Sequence, residues 1–293
     1  MTEEWDAGEI LPKAARKRVA MAEQSIRTSD GGQLHLFSFG KGPGVVMVCG
    51  TNTAAATYFR AARKLSLSLP VHVYDRRGRP GSSPQPENYS MATEISDLRS
   101  VMDATGSTAV FGHSYGGAVV LEAALQLPAS RIAVYDPVPN IGGLVPTGFL
   151  PALEDAVQRG DVARAVAVIG KGISTNLRET PLPDPAFRLL LWCISRATRK
   201  GRSWRGTVGS SVKEIAWLHA NQPSAERYAD ITIPVLVLYG ARSDTFFRLV
   251  AESLAGSLPL GRCSAVPGSD HGALDYAPAA LLTQVAEFFT GQR

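Results

Sequence analysis

Several features that mark whole classes of protein are missing from this sequence. It has no run of about 18 apolar residues, so no transmembrane helix is predicted. The N-terminus, MTEEWDAGEILPKAARKRVA, carries acidic residues where a secretory signal needs basic ones, and it lacks an apolar segment. The 3 cysteines are odd in number and form no CxxC pair, which argues against a disulfide framework and a zinc site. We therefore expect a cytoplasmic protein without a membrane partner or a metal.

Charge of either sign is also sparse. Charged residues make up 19% of the chain, and the formal net charge of +4 comes with no nucleic-acid-binding motif, so nucleic acid is not an expected partner. Hydrophobic residues make up 45% of the 293 positions. A chain of this size and composition can bury a substantial core and also carry an inserted subdomain.

Apolar segments alternate with helical patterns along most of the chain. Residues 22–29 and 33–39 flank the turn SDGG and predict a hairpin. Buried strands are predicted at GVVMVCG (44–50), PVHVYDRRG (70–78), STAVFG (107–112), RIAVYDP (131–137), PVLVLYG (234–240) and GRCSAVPG (261–268). Helical patterns lie between them, at 54–68, 91–104, 115–127, 246–256 and 276–290. This alternation predicts an α/β fold, with a mostly parallel sheet covered by helices on both faces.

The alternation stops between residues 138 and 228, where only helical segments separated by proline and glycine remain. Structureless loops of that length are uncommon, so a helical cap inserted over the sheet is predicted. The expected division is an N-terminal extension at 1–21, a core at 22–137 and 229–293, and the cap at 138–228. The cap holds the aromatic residues Phe149, Phe187, Trp192, Trp204 and Trp217. We assign Phe149, Trp192 and Trp217 to substrate binding, with packing inside the cap as the alternative.

A serine flanked by glycines stands where a predicted strand gives way to a helix. In AVFGHSYGGAVVLEAAL (109–125), Gly112, Ser114 and Gly116 fit the pattern G-x-S-x-G. A turn this tight strains the serine backbone and brings strand and helix too close for side chains two positions away. The hydroxyl is then held above the sheet, with the backbone N–H of Tyr115 directed at an incoming carbonyl. The pattern predicts a nucleophile, and a chance turn of small residues is the alternative.

A serine nucleophile needs a base, and the base needs an orienting carboxylate. Among the 5 histidines, His271 stands apart because it follows the last predicted strand, in VPGSDHGALDY. Asp244 also follows a strand, in VLVLYGARSDTFF, and the order Ser114, Asp244, His271 is that of α/β hydrolases. Asp136, in VYDPVP, is the competing acid. We prefer Asp244 as the partner of His271.

The chain resembles α/β-hydrolase-fold proteins of the capped esterase and lyase type over about residues 22–290. The resemblance lies in the elbow GHSYGG, the loop YDRRGRPGSS, the acid loop VLYGARSD and the histidine loop GSDHGA. It implies an eight-stranded sheet, and it implies that Thr51, in VCGTNTAAATYF, donates the second oxyanion N–H beside Tyr115. Cys49 stands where such relatives usually have histidine, and we interpret it as a small buried residue. Asn52 is an alternative side-chain donor or substrate contact.

These residues predict a serine hydrolase that cleaves an ester or thioester of a largely hydrophobic small molecule through an acyl-enzyme, without a cofactor. Three alternatives remain open: an acyltransferase, a non-hydrolytic lyase, and a ligand receptor on the same scaffold. The stretch RATRKGRSWR (196–205) places five cations in ten residues. It is a candidate docking site for an acyl carrier protein or a coenzyme A thioester, with ordinary solvated surface as the alternative.

Overall fold

The computed structural model describes residues 20–291, apart from the side chains of Arg199 and Lys200. Residues 1–19 of the predicted N-terminal extension therefore lie outside the described part of the chain. The strands are β1 (Met21–Arg27), β2 (Gln33–Phe39), β3 (Val45–Val48), β4 (Val71–Asp75), β5 (Ala109–His113), β6 (Arg131–Tyr135), β7 (Val235–Gly240) and β8 (Gly261–Val266). They form one sheet in the order β1-β2-β4-β3-β5-β6-β7-β8. Strands β1, β2 and β4 pair antiparallel and the other pairs are parallel, which confirms the predicted α/β fold.

Two hydrophobic layers cover the sheet because its central strands are mostly apolar. All four residues of β3 are buried, and consecutive side chains point to opposite faces. Val46 and Val48 belong to the hydrophobic cluster on the face covered by α2 (Met91–Thr105), α3 (Tyr115–Ala124) and α9 (Thr245–Ser257). Val45 and Met47 belong to the cluster on the opposite face, which α1 (Ala55–Leu65), α10 (Ala273–Tyr276) and α11 (Ala279–Thr290) cover. The sheet is thus a rigid platform whose strand ends share one edge.

Helices fill the interval between β6 and β7. They are α4 (Leu150–Gln158), α5 (Val162–Ile173), α6 (Thr175–Arg178), α7 (Asp184–Ala197) and α8 (Arg199–Ala220), and we call them the inserted helices. Side-chain caps define three of their starts: Asp161 accepts from the amide of Arg164, Ser174 from that of Leu177, and Thr198 from that of Gly201. Along α8, Val208, Ile215 and Leu218 join the main core, so this helix packs directly on the body of the protein.

Within residues 20–291, the structure contains no helix that is both long enough and apolar enough to cross a membrane. The helices expected between residues 138 and 228 are present. The division of the chain into a core and a cap domain at these two positions stays a prediction.

Candidate active site

The elbow around Ser114 is sterically tight. Ser114 is the residue before α3 and has φ 55° and ψ −123°, a conformation that is strained for any residue with a side chain. A Cβ at Gly112 would lie 2.5 Å from the carbonyl oxygen of Gly116, and one at Gly116 would lie 2.2 Å from that of Val48. A Cβ at Gly117 would lie 2.8 Å from the side chain of Pro137. The three glycines are therefore required by the close approach of strand, helix and neighbouring loop.

Backbone hydrogen bonds hold this strained turn. The amide of Ser114 donates to the carbonyl of Tyr135 at 3.1 Å. The Ser114 carbonyl accepts from the amides of Gly117 at 2.9 Å, Ala118 at 3.3 Å and Val138 at 3.3 Å. The hydroxyl itself has no hydrogen bond to any described residue and lies on the wall of a cavity. The elbow thus presents an unengaged hydroxyl to a space that a ligand can enter.

His271 reaches the same cavity and contacts a buried carboxylate. Its Nδ1 lies 3.1 Å from Oδ2 of Asp136, whose side chain is completely buried. The amide of Gly240 donates to Oδ1 of Asp136 at 2.9 Å, and the hydroxyl of Ser243 donates to Oδ2 at 2.6 Å. When Nδ1 donates its proton to Asp136, Nε2 of His271 is left as a proton acceptor, which is the tautomer that a base toward Ser114 needs.

The preferred acid, Asp244, is placed elsewhere. It precedes α9, and its Oδ1 accepts from the amide of Thr175, the first residue of α6, at 2.8 Å. Asp136 instead stays at the end of β6, because its amide donates to the carbonyl of Leu238 on the adjacent strand β7 at 2.8 Å. The structure therefore corrects the pairing of His271 with Asp244: the carboxylate in contact is the competing one, Asp136.

A hydrogen-bond chain of fixed direction connects the two sides of the site. The amide of Gly50 can only donate, so it donates to Tyr58 Oη at 2.8 Å. Tyr58 Oη lies 2.7 Å from Nδ1 of His113, and Nε2 of His113 lies 3.1 Å from the carbonyl oxygen of His271. Burial lowers the pKa of His113 well below its ordinary value, and His271 lowers it further. Neutral His113 therefore carries its proton on Nε2, donates to His271 and accepts from Tyr58.

The loop after β3 supplies the opposite wall. Thr51 and Asn52 both line the cavity with Ser114, and Asn52 has a left-handed φ of 53°. Thr207 on α8 donates its hydroxyl to the side-chain oxygen Oδ1 of Asn52 at 2.8 Å, and this bond leaves the side-chain NH₂ group available to a substrate. The ring of Tyr115 is buried, and its backbone N–H, at the start of α3, has no acceptor among the described residues. The oxyanion roles of Tyr115 and Thr51 stay predictions.

The surface of the cavity wall is mainly apolar. It encloses about 300 Å³ and lies between the loop after β3, the elbow, the loop of His271 and the inserted helices. Helix α5 contributes Val166, Ile169 and Ile173, and α8 contributes Ile215 and Leu218. A site of this shape binds the apolar part of a small ligand.

The aromatic lining differs from the prediction. None of Phe149, Trp192 and Trp217 belongs to the cavity lining that the structure describes, whereas Trp204 does. Trp217 packs edge-on against Tyr115 with 6.4 Å between ring centroids, and Trp192 is 46% exposed. Phe149 packs instead against Gly172, where a Cβ would lie 2.2 Å from its ring. The prediction is corrected, because these three rings contact other residues or solvent and not the cavity.

The spacing of residues along α8 identifies Trp204 as a residue on the face that lines the cavity. Positions 204, 208, 211, 215 and 218 recur at intervals of three and four and share one face of α8. Ile215 and Leu218 lie on the cavity wall with Trp204, while Trp217 lies on another face.

Two contributors were missed at the sequence level. Phe247, on α9, stacks on the imidazole of His271 at 4.4 Å between centroids with an interplanar angle of 20°, and it lines the cavity. Tyr58, on α1, positions His113 as described above. Both contacts join segments that are distant in sequence, and no local pattern distinguishes these rings from ordinary core residues.

Cys49 is buried, and its thiol lies 3.7 Å from the carbonyl oxygen of Tyr74. Burial raises the pKa of this thiol far above its ordinary value, so it stays protonated and unreactive. Its surroundings therefore fit a packing residue.

Comparison with known proteins identifies the family. An uncharacterized protein of Mycobacterium tuberculosis is 25% identical over 302 residues, covering 92% of this chain and 82% of that protein. The crystal structure of an alpha/beta hydrolase from Sphaerobacter thermophilus superposes with a TM-score of 0.75 at 28% identity, covering 91% of this chain and 100% of that one. An esterase from Rhodococcus sp. ECU1013 superposes with a TM-score of 0.66 at 19% identity, covering 92% and 99% of the two chains. The model of the alpha/beta hydrolase family matches residues 45–284. With the sheet, the elbow and this match in place, the chain belongs to the alpha/beta hydrolase family.

Proposed function

We propose that this protein is a serine hydrolase that cleaves carboxylic esters of small, largely apolar molecules through an acyl-enzyme. The observation that carries the proposal is the contact between His271 and Asp136 beside a cavity that Ser114 also lines. Membership of the alpha/beta hydrolase family supports it, and the esterase from Rhodococcus shares the fold.

In the proposed reaction, Ser114 Oγ attacks the acyl carbon while Nε2 of His271 takes the hydroxyl proton. Asp136 accepts the Nδ1 proton in a hydrogen bond and stabilises the imidazolium. The negative charge on the former carbonyl oxygen is bound by the backbone N–H groups of Tyr115 and Thr51. His271 then protonates the leaving alcohol, and a water, activated by the same imidazole, releases the acid from Ser114.

The cavity wall sets the substrate class. Side chains such as Val166, Ile169 and Leu218 offer no hydrogen-bonding group, so they favour an alkyl or aryl part over a polar one. Each methylene of a substrate that is buried there contributes about 0.8 kcal/mol. A thioester carbonyl fits the same mechanism, because the leaving group is protonated by the same His271.

Acyl transfer is the second candidate. In that reaction an alcohol, amine or thiol acceptor replaces water, and the donor is an acyl carrier protein or a coenzyme A thioester. Arg202 and Arg205 lie exposed on α8 near Trp204, which lines the cavity. These cations favour an anionic donor at the cavity mouth.

Hydrolysis of 4-nitrophenyl esters from acetate to octanoate tests the proposal. The protein should release 4-nitrophenol catalytically, and Ser114→Ala should lower kcat/KM at least about a thousandfold. Ser130→Ala, the same substitution at an exposed position, is the matched control and should leave kcat/KM unchanged. Equal loss in both variants, or turnover by Ser114→Ala at the wild-type rate, would contradict it. Added alcohol or thiol acceptor distinguishes transfer, because the acyl group would then appear in a new ester or thioester instead of the free acid.

A further inference from the structure

Four ionic side chains are buried directly behind the loop after β3. Arg76, Arg79, Glu94 and Glu214 are each at most 3% exposed, and we call them the arginine–glutamate cluster. Buried charge is costly, and its retention is understandable only if every member is paired and hydrogen-bonded. Arg76 pairs with Glu94 at 2.5 Å and with Glu214 at 3.0 Å, while Arg79 pairs with Glu214 at 2.5 Å. Nη1 of Arg79 also donates to the carbonyl of Arg77 and to Oγ of Ser210, each at 3.0 Å. The other hydrogen bonds of the two arginines are directed at three further backbone carbonyls.

Those carbonyls belong to the loop that carries the proposed oxyanion donor. Arg76 donates from Nε to the carbonyl of Cys49 at 2.9 Å and from Nη2 to that of Gly50 at 3.0 Å. Arg79 donates from Nη2 to the Gly50 carbonyl at 3.3 Å and from Nε to the carbonyl of Thr53 at 3.3 Å. The Thr53 hydroxyl donates to the Gly50 carbonyl as well, at 2.9 Å. The carbonyl oxygen of Gly50 therefore accepts three hydrogen bonds, which together fix the orientation of this carbonyl group.

Peptide geometry converts this restraint into the direction of an N–H group. In a trans peptide the carbonyl and the following N–H point to opposite sides, and the described chain contains no cis peptide bond. Because the Gly50 carbonyl faces the two guanidinium groups, the N–H of Thr51 faces away from them. Thr51 is also a residue of the cavity wall. The amide of Gly50 is excluded as a competing donor, since it is bound to Tyr58 Oη.

Glu214 extends the restraint to the inserted helices. It lies on α8, and its Oε2 accepts from the Thr51 hydroxyl at 2.9 Å. Burial alone would raise the pKa of Glu214, but Arg76 and Arg79 lower it below its ordinary value, so this carboxylate is ionised. The next residue, Ile215, is part of the cavity wall. Helix α8, which lines the cavity, is thus hydrogen-bonded to the loop that would bind the oxyanion.

We propose that Arg76, Arg79 and Glu214 are positioning residues, which fix the Gly50–Thr51 peptide so that the Thr51 N–H is aimed at the developing oxyanion. This inference rests on the proposed function. It assigns the three side chains no contact with substrate, because they act through the peptide and the Thr51 hydroxyl. Removal of these side chains should reduce the stabilisation of the transition state and leave binding of the substrate ground state nearly unchanged.

Arg79→Gln is the first test, and Arg77→Gln is its matched control. Removing Arg79 frees the Gly50 and Thr53 carbonyls from one guanidinium while Glu214 keeps Arg76 as a partner. Arg77 is a neighbouring buried arginine whose side chain bonds Asp97, Asp30 and Thr28 instead of the loop after β3. Thr51→Val and Thr51→Ser form a second pair, in which only the serine keeps a hydroxyl for Glu214.

The readouts are kcat and KM for 4-nitrophenyl butyrate, and the inhibition constant of a trifluoromethyl ketone with the same acyl chain, which becomes an oxyanion on addition of Ser114. We expect Arg79→Gln and Thr51→Val to lower kcat roughly tenfold to a hundredfold, to weaken ketone binding by the same factor, and to keep KM within about twofold. Arg77→Gln should stay within about threefold of the wild type in kcat, and Thr51→Ser should lose less of kcat than Thr51→Val.

Each other outcome is decisive. If Arg79→Gln lowers kcat no more than Arg77→Gln, or Thr51→Val no more than Thr51→Ser, the positioning role is wrong while the proposed function stands. A rise in KM that accounts for the whole loss would also overturn it. If the wild type is not acylated on Ser114 by the ester, the proposed function fails, and this inference fails with it.

Discussion

The choice between two carboxylates as partner of His271 gives the sharpest prediction. Asp136→Asn changes one atom of a side chain that accepts from Gly240, Ser243 and His271. The asparagine oxygen can still accept from the Gly240 amide. Its NH₂ group, however, can only donate toward Nδ1 of His271, so the imidazole must carry its proton on Nε2.

That tautomer cannot take the proton of Ser114. The wrong tautomer in a serine triad lowers kcat about 10⁴-fold, which corresponds to about 5 kcal/mol of transition-state stabilisation. Asp244→Asn makes the same chemical change one residue after Ser243, but its Oδ1 needs only to accept from the Thr175 amide, and asparagine keeps that acceptor. We expect this variant to retain kcat within about threefold.

The assay is kcat for 4-nitrophenyl butyrate between pH 6 and pH 9, with circular dichroism and thermal unfolding as checks of the fold. The substitution is isosteric, so both variants should unfold cooperatively. A large loss in Asp244→Asn together with near-normal activity in Asp136→Asn would refute the reasoning. It would mean that the contact between His271 and Asp136 is not the one used in turnover.

Three further predictions follow from other contacts. Tyr58→Phe removes the donor to His113 and should lower kcat roughly tenfold with KM nearly unchanged; an unaltered kcat in steady-state assays would show that the hydrogen-bond chain does not position His271. Trp204→Ala should shift the preferred 4-nitrophenyl ester toward longer acyl chains because it enlarges the cavity, while Trp192→Ala should not; the same shift in both variants would contradict the assignment of the lining. Burial raises the pKa of Asp75 from 3.8 to about 6, so protonation stabilises the fold below about pH 4 and this contribution is lost as pH rises through about 6. Asp75→Asn keeps an acceptor for the amide of Ala55 and should be more stable than the wild type by up to about 3 kcal/mol at pH 7, with the difference vanishing near pH 4; urea unfolding that shows the same difference at both pH values would contradict the burial argument.

The elbow could be predicted from the sequence because the residues that form it are close to one another along the chain. Gly112 and Gly116 answer steric demands within a few residues of Ser114, and an apolar strand before it and a helical pattern after it supply the context. The sheet was predictable for a similar reason, since its central strands are nearly continuously apolar.

The local sequence did not identify which carboxylate, Asp136 or Asp244, contacts His271. Strands β6 and β7 are neighbours in the sheet, so Asp136 and Asp244 follow strands that end at the same edge. Their order in the sequence carries no information on which one turns toward His271. The difference depends on the left-handed backbone of Asp136, with φ 43°, and on the Thr175 amide that holds Asp244.

Long-range partners explain the remaining differences. Arg76 and Arg79, in YDRRGRPGSS, pair with Glu214, which lies more than 130 residues further along the chain. The local sequence around Glu214 does not show that this glutamate pairs with Arg76 and Arg79. The lining by Trp204 likewise depends on the rotation of α8 about its axis, which is set by packing against the core.

The central claim is that Ser114 forms the covalent intermediate, and the most direct test is mass spectrometry of the protein after reaction with a fluorophosphonate ester. We predict one phosphonyl group per chain, located on the peptide that contains Ser114, together with complete loss of ester hydrolysis. Ser114→Ala should take up no label under the same conditions. A label on another residue, or full hydrolytic activity after Ser114 is labelled, would contradict the account.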